Sequence, residues 1–192
     1  MKRDMLEKML LDNHGILRTA DIIAAGISKE YFYQYVKTYG LEKIAHGIYA
    51  STEAWMDEMY LLQLQFSKAI FSYETALYLH DLSEMEPMPI SVTVAAGYNS
   101  TGLANRGVRV YKIKSEWYEL GVCQKESPGG HLLRLYDMER TICDIIRRRS
   151  ETEVSIFKYA LNQYSKRKDK DLNRLGAYAQ AMRCLLYTSR CV

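Results

Sequence analysis

The stretch Gly15-Ile-Leu-Arg-Thr-Ala-Asp-Ile-Ile-Ala-Ala-Gly-Ile-Ser-Lys29 decides the fold of the N-terminal part of this 192-residue chain. Thr19 is suited to cap a short helix, and Gly26 interrupts that helix because glycine readily adopts the left-handed conformation that ends helices. Ser28 is a second capping residue and predicts that another helix follows at once, over Lys29–Tyr39. Two helices separated by so tight a turn indicate a helix-turn-helix.

The flanking residues extend this pattern into a winged helix-turn-helix. A preceding helix over Lys2–Asp12 is predicted from apolar residues at helical spacing, namely Met5, Leu6, Met9 and Leu10. Two short strands, Leu41–Ile44 and Ile48–Ala50, predict a hairpin around a loop that contains Gly47. Helices followed by a hairpin in this order are typical of winged helix-turn-helix domains, and we assign residues 1–50 to one.

The helix over Lys29–Tyr39 has two different faces. Phe32, Val36 and Tyr39 recur at helical spacing and form the expected apolar face, with Tyr35 as a further candidate. The residues expected to face outward are Lys29, Glu30, Tyr33, Gln34 and Lys37. Lysines suit DNA phosphates, and a glutamine suits a base edge in the major groove. The residues expected to contact DNA, on this helix, on the helix before it and on the wing, are Arg18, Thr19, Ser28, Lys29, Tyr33, Gln34, Lys37, Lys43 and His46.

Charge leaves an alternative open for this domain. Residues 1–50 carry seven basic and six acidic side chains. A net charge of +1 is small for a DNA-binding domain, because phosphate contacts supply much of the affinity. A winged helix that binds another protein and no DNA is therefore the alternative, and DNA binding would need a dimer or a second basic surface.

Residues 51–183 are predicted to form a mixed α+β domain, so the fold class of the chain is α+β. Helices are expected over Glu53–Phe66, from Ser72 to about His80, from Asp137 to Arg149, over Glu153–Ser165 and over Asp171–Met182. Strands are expected over Ile90–Ala95, Val108–Ile113, Tyr118–Lys125 and Leu132–Tyr136.

The modest overall charge of +3 hides a separation along the chain. Residues 51–146 carry eight basic and thirteen acidic side chains, whereas residues 147–192 carry eleven basic and four acidic ones. Part of this excess could form a second basic surface for a nucleic acid or an acidic partner, made of Arg147, Arg148, Arg149, Lys166, Arg167, Lys168 and Lys170. The alternative is that these are solvated helix ends, where cations are favourable.

Motifs of enzymes, metals and cofactors are missing from the sequence. Its four histidines and four cysteines show neither metal-ligand spacing nor a nucleophile with a recognisable base, and no phosphate-binding glycine loop occurs. We therefore expect no catalytic residues, no metal, no cofactor and no enzymatic activity. No secretory signal or membrane-length apolar run is present, so a cytoplasmic protein with reduced thiols and no membrane partner is expected.

The last nine residues, 184–192, do not continue the pattern before them. The segment beginning Cys-Leu-Leu-Tyr-Thr-Ser is similar to the translation of a sequencing adapter, and we expect residues 184–192 to be a non-native tail. The alternative is a native but poorly ordered C-terminus.

Several stretches resemble the AbiEi family of antitoxins and autorepressors of abortive-infection systems against phage. In the N-terminal domain these are Gly15–Lys29 and Gly40-Leu-Glu-Lys-Ile-Ala-His-Gly-Ile-Tyr49. In the C-terminal domain they are Phe71–Leu82, Ile90-Ser-Val-Thr-Val94 and Asp137-Met-Glu-Arg-Thr-Ile-Cys-Asp144.

The resemblance implies a transcriptional autorepressor whose winged helix binds an inverted-repeat operator in double-stranded DNA, on which the dimer considered above is one of the two open arrangements. It also implies that the C-terminal domain opposes a nucleotidyltransferase toxin without forming a stable complex with it, the type IV toxin–antitoxin arrangement.

Overall fold

The computed structural model describes residues 1–184 of the chain. The chain divides into two compact units. Unit 1 comprises residues 1–67 together with the segment 126–132, and unit 2 comprises residues 68–125 and the chain from residue 133 onward. Unit 1 thus includes a helix that we expected in the C-terminal domain, while the domain limits 1–50 and 51–183 stay a prediction.

Unit 1 contains three helices, a small sheet and a fourth helix. In chain order its elements are α1 (Lys2–Asp12), β1 (Ile16–Arg18), α2 (Thr19–Ala24), α3 (Lys29–Tyr39), β2 (Glu42–Ala45), β3 (Ile48–Ala50) and α4 (Glu58–Gln65). The three strands pair antiparallel in the order β1-β3-β2, so the hairpin gains an edge strand from Ile16–Arg18. The predicted order of helices and hairpin is confirmed, and β1 completes the winged helix-turn-helix.

The core of unit 1 lies between the three helices. Its buried side chains are Leu6, Leu17, Ile22, Ile27, Phe32, Tyr35 and Leu41. Ile27, in the turn between α2 and α3, is 3% exposed and fills the space between them. Tyr39 is 44% exposed, so its place on the apolar face was predicted wrongly. Tyr35, the further candidate for that face, is buried, and the Tyr39 ring lies 4.3 Å from the Tyr35 ring, centroid to centroid.

Capping residues explain where the helices begin. The Ser28 hydroxyl accepts a hydrogen bond from the Tyr31 amide at 3.3 Å, as predicted for α3. The predicted cap at Thr19 is wrong, because Arg18 occupies the N-cap position and Thr19 is already helical. Helix α4 begins at Glu58 rather than Glu53, since the Asp57 carboxylate accepts a hydrogen bond from the backbone of the first turn.

Unit 2 is built on a five-stranded mixed sheet. Its elements are β4 (Ile70–Phe71), α5 (Tyr73–Leu79), β5 (Ser91–Ala95), α6 (Thr101–Ala104), β6 (Arg109–Ile113), α7 (Ser115–Tyr118), β7 (Val122–Glu126), β8 (Leu132–Tyr136), α8 (Met138–Arg147), α9 (Val154–Lys166) and α10 (Leu172–Ala181). The strand order is β6-β5-β4-β8-β7. Strand β4 pairs antiparallel with β5 and parallel with β8, and β5 pairs parallel with β6. The α+β class is confirmed.

The core of unit 2 brings α5, α8 and α9 together. Its buried residues are Tyr73, Leu77, Leu82, Ile142, Ile145, Ala160 and Tyr164. The predicted strand over Tyr118–Lys125 is only half correct, since Tyr118 closes the helical turn α7 and the strand starts at Val122. Within residues 1–184 no helix is long and apolar enough to cross a membrane.

The predicted non-native tail falls largely outside the described residues. Of residues 184–192 the structure describes Cys184 alone. That side chain is buried and packs with Cys143, Ala179 and Met182. The remaining eight residues of the predicted tail, 185–192, lie beyond the described part of the chain.

Candidate nucleic-acid interface

Helix α3 presents a polar face on the side away from the core of unit 1. Lys29, Gln34 and Lys37 are exposed, and Tyr33 is 41% exposed. Side chains three and four positions apart lie on one side of a helix, so Tyr33 and Lys37 are neighbours there. Gly40, with a φ of 65°, ends the helix in the left-handed conformation. The structure therefore brings the predicted residues of this helix to one accessible surface.

A backbone hydrogen bond holds the turn of the wing against the start of α2. The amide of Thr19 donates a hydrogen bond to the carbonyl of Gly47 at 2.8 Å. Gly47 has a φ of 71°, a conformation that strongly favours glycine in so tight a turn. Lys43 on β2 and His46 in the turn are both exposed. Both predicted wing residues are thus held on a short, well-anchored hairpin.

Aromatic contacts fix α3 against the wing. The Phe32 ring meets the Tyr49 ring of β3 edge-on, with centroids 5.4 Å apart, and the Tyr33 ring lies 6.1 Å from Tyr49. Burial, and next the neighbouring Tyr33, raise the pKa of Tyr49. The Lys29 ammonium lies 5.6 Å from the Tyr33 ring centroid. These contacts place the α3 face and the wing in a defined relation within unit 1.

Two of the predicted DNA contacts differ from the others in accessibility. Thr19 is 9% exposed, and its buried hydroxyl has no hydrogen-bond partner among the described residues. Arg18 is half-buried, and its Nε donates to Asp21 at 2.9 Å. That hydrogen bond raises the pKa of Arg18. A DNA contact by Arg18 would have to compete with this ion pair.

Three more charged residues lie on or beside α3, of which sequence reasoning missed Lys2 and Arg3. Glu30 is exposed in the first turn of α3, and no ion pair involves it in the described part of the chain. The Lys2 ammonium lies 5.8 Å from the Tyr31 ring centroid, and the Arg3 guanidinium lies 5.6 Å from that of Tyr39. Helical spacing within Lys29–Tyr39 predicted that Glu30 faces outward, and the structure has it exposed. The contacts of Lys2 and Arg3 join α1 to α3, two segments distant in sequence, and leave no local signal.

The structure divides the second basic surface into two separate groups. The hydroxyl of Tyr164, near the end of α9, donates to Glu139 Oε1 near the start of α8 at 3.2 Å. The two helices therefore run antiparallel, which places Lys166–Lys170 beside the start of α8 and Arg147–Arg149 at its end. At about 1.5 Å per residue, α8 separates the two groups by about 12 Å.

Most members of the two groups already have partners. Arg147 lies 3.7 Å from Asp144, Arg148 pairs with Glu151 at 2.5 Å, and Arg167 pairs with Asp169 at 2.8 Å. Lys170 donates to two backbone carbonyls near the end of α9. These contacts favour the alternative of helix-end cations, while Arg149, Lys166 and Lys168 are exposed.

Unit 1 contains a buried polar cluster that has no signal in the sequence. Ser127 donates a hydrogen bond to Asp57, and His131 Nδ1 lies 3.1 Å from the same carboxylate. The Tyr60 ring stacks on His131, with centroids 4.0 Å apart. A Cβ on Gly129 would lie 2.8 Å from Asp57 Oδ2, so glycine is needed for this close approach. Since Ser127 bonds to the carboxylate and not to the imidazole, the cluster lacks the arrangement of an activated nucleophile.

The remaining titratable groups give little support to catalysis. His80 is buried, and its Nε2 lies 2.8 Å from the Tyr136 carbonyl. Burial lowers the pKa of His80 and raises that of Cys123 to about 11. In the described residues, no three histidine, cysteine or acidic side chains are grouped as a metal site. The exposed face of α3 with its wing is therefore the site on which the chain's function is best argued.

An exposed recognition-type helix beside a β-hairpin defines the class: a winged helix-turn-helix domain. Residues 5–52 match the model of a family described as "Transcriptional regulator, AbiEi antitoxin", so the similarity to that family lies in the N-terminal region. The match covers α1 through β3, the elements that carry the candidate interface.

One solved structure extends the likeness in fold beyond the N-terminal region. The crystal structure of the RV2827C protein from Mycobacterium tuberculosis matches with a TM-score of 0.54 at 13% identity, over 92% of this chain and 70% of that chain. At this identity the match shows a shared fold alone. No curated protein matches the sequence significantly.

Proposed function

We propose that this protein is a sequence-specific DNA-binding transcriptional autorepressor, and the antitoxin of a type IV toxin–antitoxin system in phage defence. The single observation that carries the proposal is the polar face of α3, exposed beside the wing in a region of the AbiEi regulator family. Helices presented in this way enter the major groove of DNA.

Each exposed side chain on this face has a chemical role in the proposal. Gln34 can form two hydrogen bonds with the edge of an adenine, which is a sequence-specific contact. Lys29 and Lys37 bind phosphates, and Tyr33 reaches a phosphate or a thymine methyl group. Lys43 and His46 bring the wing to the adjacent backbone. Ser28 would contribute through its position at the start of the helix.

Low charge in this domain favours binding as a dimer. Residues 1–50 have a net charge of +1. Two copies on an inverted repeat double the number of phosphate contacts, and operator symmetry mirrors the twofold symmetry of the protein. The proposed partner is therefore an inverted-repeat operator in double-stranded DNA near the protein's own gene.

Unit 2 carries the antitoxin part of the proposal. The functional partner would be a nucleotidyltransferase toxin, opposed without a stable complex, and the protein itself would act in the cytoplasm without enzymatic activity, cofactor or metal. Support comes from the family description that residues 5–52 match. Co-expression with the product of a neighbouring nucleotidyltransferase gene tests this part by growth rescue.

Fluorescence anisotropy with the DNA upstream of the protein's own gene tests DNA binding. We expect affinity to fall steeply with salt, Gln34→Ala to relax base preference, and Lys37→Ala to weaken binding to all sequences and lower the salt slope by about 1. Lys158→Ala, an exposed lysine on α9, is the matched control. Unchanged binding in both α3 variants would show that α3 is not the recognition helix.

The alternative is a winged helix that binds a protein and no DNA. It is favoured by the small net charge of residues 1–50 and by the unpaired carboxylate of Glu30 on the α3 face. It predicts no salt-dependent affinity for any DNA, whereas a protein that contacts phosphates loses affinity as salt rises.

A further inference from the structure

A groove in unit 2 combines exposed methionines with glutamates. It lies between the loop Ser83–Pro89 and the start of α9, and its volume is about 420 Å³. Ile156 of α9, Pro87 and the two methionines of the loop supply its apolar lining. All of its lining residues belong to unit 2, so the groove is independent of the α3 face.

The methionines of this loop are unusually accessible. Met85 is 67% exposed and Met88 is 92% exposed. Pro87 lies between the two methionines and Pro89 follows Met88, and both prolines limit the backbone freedom of the loop. Methionine side chains are flexible and polarisable, which suits surfaces that adapt to apolar groups of a partner. This pairing of a stiffened backbone with adaptable side chains favours binding of an apolar anchor.

Charge around the groove selects the kind of partner. Four glutamates line it, Glu74, Glu86, Glu151 and Glu153, against one arginine, Arg109. Arg109 lies 3.4 Å from Glu74, and Glu151 is paired with Arg148. Neither Glu86 nor Glu153 forms an ion pair within residues 1–184, although Glu153 accepts a hydrogen bond from the Ser155 hydroxyl. Both carboxylates are exposed and carry charge that no cation of the described residues neutralises.

An acidic rim excludes polyanions and attracts cationic groups. DNA, RNA and anionic lipid surfaces would all be repelled here, because like charges brought together cost free energy. A segment with lysines or arginines beside an apolar side chain would place the cations on Glu86 and Glu153 and the apolar side chain between Met85 and Met88. We propose that this groove docks a cationic, apolar-anchored peptide segment of a partner protein.

Two designed peptides of opposite charge test the proposal with the full chain. The first is a 14-residue amphipathic peptide of leucine and lysine with a fluorescent label, and the second carries glutamate at every lysine position. Fluorescence anisotropy at moderate salt should show saturable binding of the lysine peptide and none of the glutamate peptide. Equal binding of both peptides, or no binding of the lysine peptide, would overturn the proposal.

Paired variants assign the binding to the groove. Met85→Ser with Met88→Ser, and separately Glu86→Lys with Glu153→Lys, should each weaken binding at least tenfold. The controls remove equally exposed groups elsewhere, Leu172→Ser for the methionines and Glu116→Lys with Glu126→Lys for the charges. All four targets are exposed, so the variants should keep the fold. Groove variants that bind as tightly as the controls would show adsorption elsewhere and refute the docking site.

Discussion

Helices α3 and α8 begin in the same way and use their charged residues in opposite ways. Ser28 caps α3 and Asp137 caps α8, each accepting a hydrogen bond from the first helical turn. The lysines of α3 point to solvent, whereas Arg140 and Asp144 of α8 are almost completely buried and lie 3.0 Å apart. Charge on α3 is therefore available to a partner, and charge on α8 contributes to the internal structure of unit 2.

The surroundings of Arg140 explain why α8 tolerates buried charge. Its guanidinium donates to the carbonyls of Trp117 and Leu120, at 2.7 and 2.5 Å, and lies 4.1 Å from the Tyr136 ring centroid. Next to it, Glu139 accepts hydrogen bonds from Tyr164 and from the backbone that starts α10. Such networks cost much when one member is removed, because a buried charge is left uncompensated.

The largest expected effect is therefore at Arg140. Arg140→Ala should lower the free energy of unfolding by about 3–5 kcal/mol, since the buried Asp144 loses its hydrogen-bonded cation and keeps only the more distant Arg147 at 3.7 Å. Urea denaturation measures this loss. The matched control is Arg149→Ala, an exposed arginine just beyond the same helix, which should change stability by less than about 0.5 kcal/mol. Similar losses in both variants would refute the distinction between buried and exposed charge.

The second effect concerns pH. Burial raises the pKa of Asp144 to about 6, whereas an unfolded aspartate titrates near 3.9. Between these values the native state binds a proton that the unfolded state does not, so this contribution to stability grows as pH falls below 6 and is lost as pH rises through 6. The stability of the wild type relative to Asp144→Asn should therefore increase by about 2–3 kcal/mol from pH 7 to pH 4. A difference in unfolding free energy between the wild type and Asp144→Asn that stays constant with pH would contradict this prediction.

A smaller effect is expected at the cap of α3. Ser28→Ala should lower the free energy of unfolding by about 1 kcal/mol, because the Tyr31 amide loses its acceptor. Ser28→Asp keeps an acceptor and should recover most of the lost stability. Ser67→Ala, which removes an exposed serine elsewhere, is the control. Thermal unfolding at neutral pH compares the three. If Ser28→Asp were as unstable as Ser28→Ala, the effect would not be due to capping.

The smallest effect is expected on the exposed face of α3. Lys37→Ala should change the free energy of unfolding by less than about 0.5 kcal/mol, since Lys37 is exposed and forms no ion pair with any residue from 1 to 184. Denaturation in urea checks this value on the same sample that is used for DNA binding. A loss above 1 kcal/mol would mean that Lys37 supports the fold, and its effect on DNA binding could then not be read as a phosphate contact.

Local sequence patterns explain which helices and which exposed residues could be predicted. Periodicity and capping residues located α1, α3, α8, α9 and the hairpin, because these signals depend on neighbours in sequence. The sequence also predicted the exposure of Lys29, Gln34 and Lys37, which follows from the buried position of Phe32 on the opposite face.

Long-range contacts explain what could not be predicted. Strand β1 exists because Ile16–Arg18 pairs with β3, thirty or more residues further along the chain. The cluster around Asp57 depends on residues from the loop 126–132, which no local pattern links to the N-terminal region. The separation of the two basic groups likewise depends on the antiparallel packing of α8 and α9.

The two-segment composition of unit 1 has a consequence for how the protein is made on the ribosome. The N-terminal helices and wing emerge first, yet the Asp57 carboxylate meets Ser127 and His131 only after some seventy further residues have been synthesised. At about 5–20 residues per second, the early domain waits several seconds with that carboxylate bonded to the Tyr60 amide but without its Ser127 and His131 partners. A nascent chain that ends before residue 126 should therefore be more open to proteolysis around α4 than one that ends after residue 132.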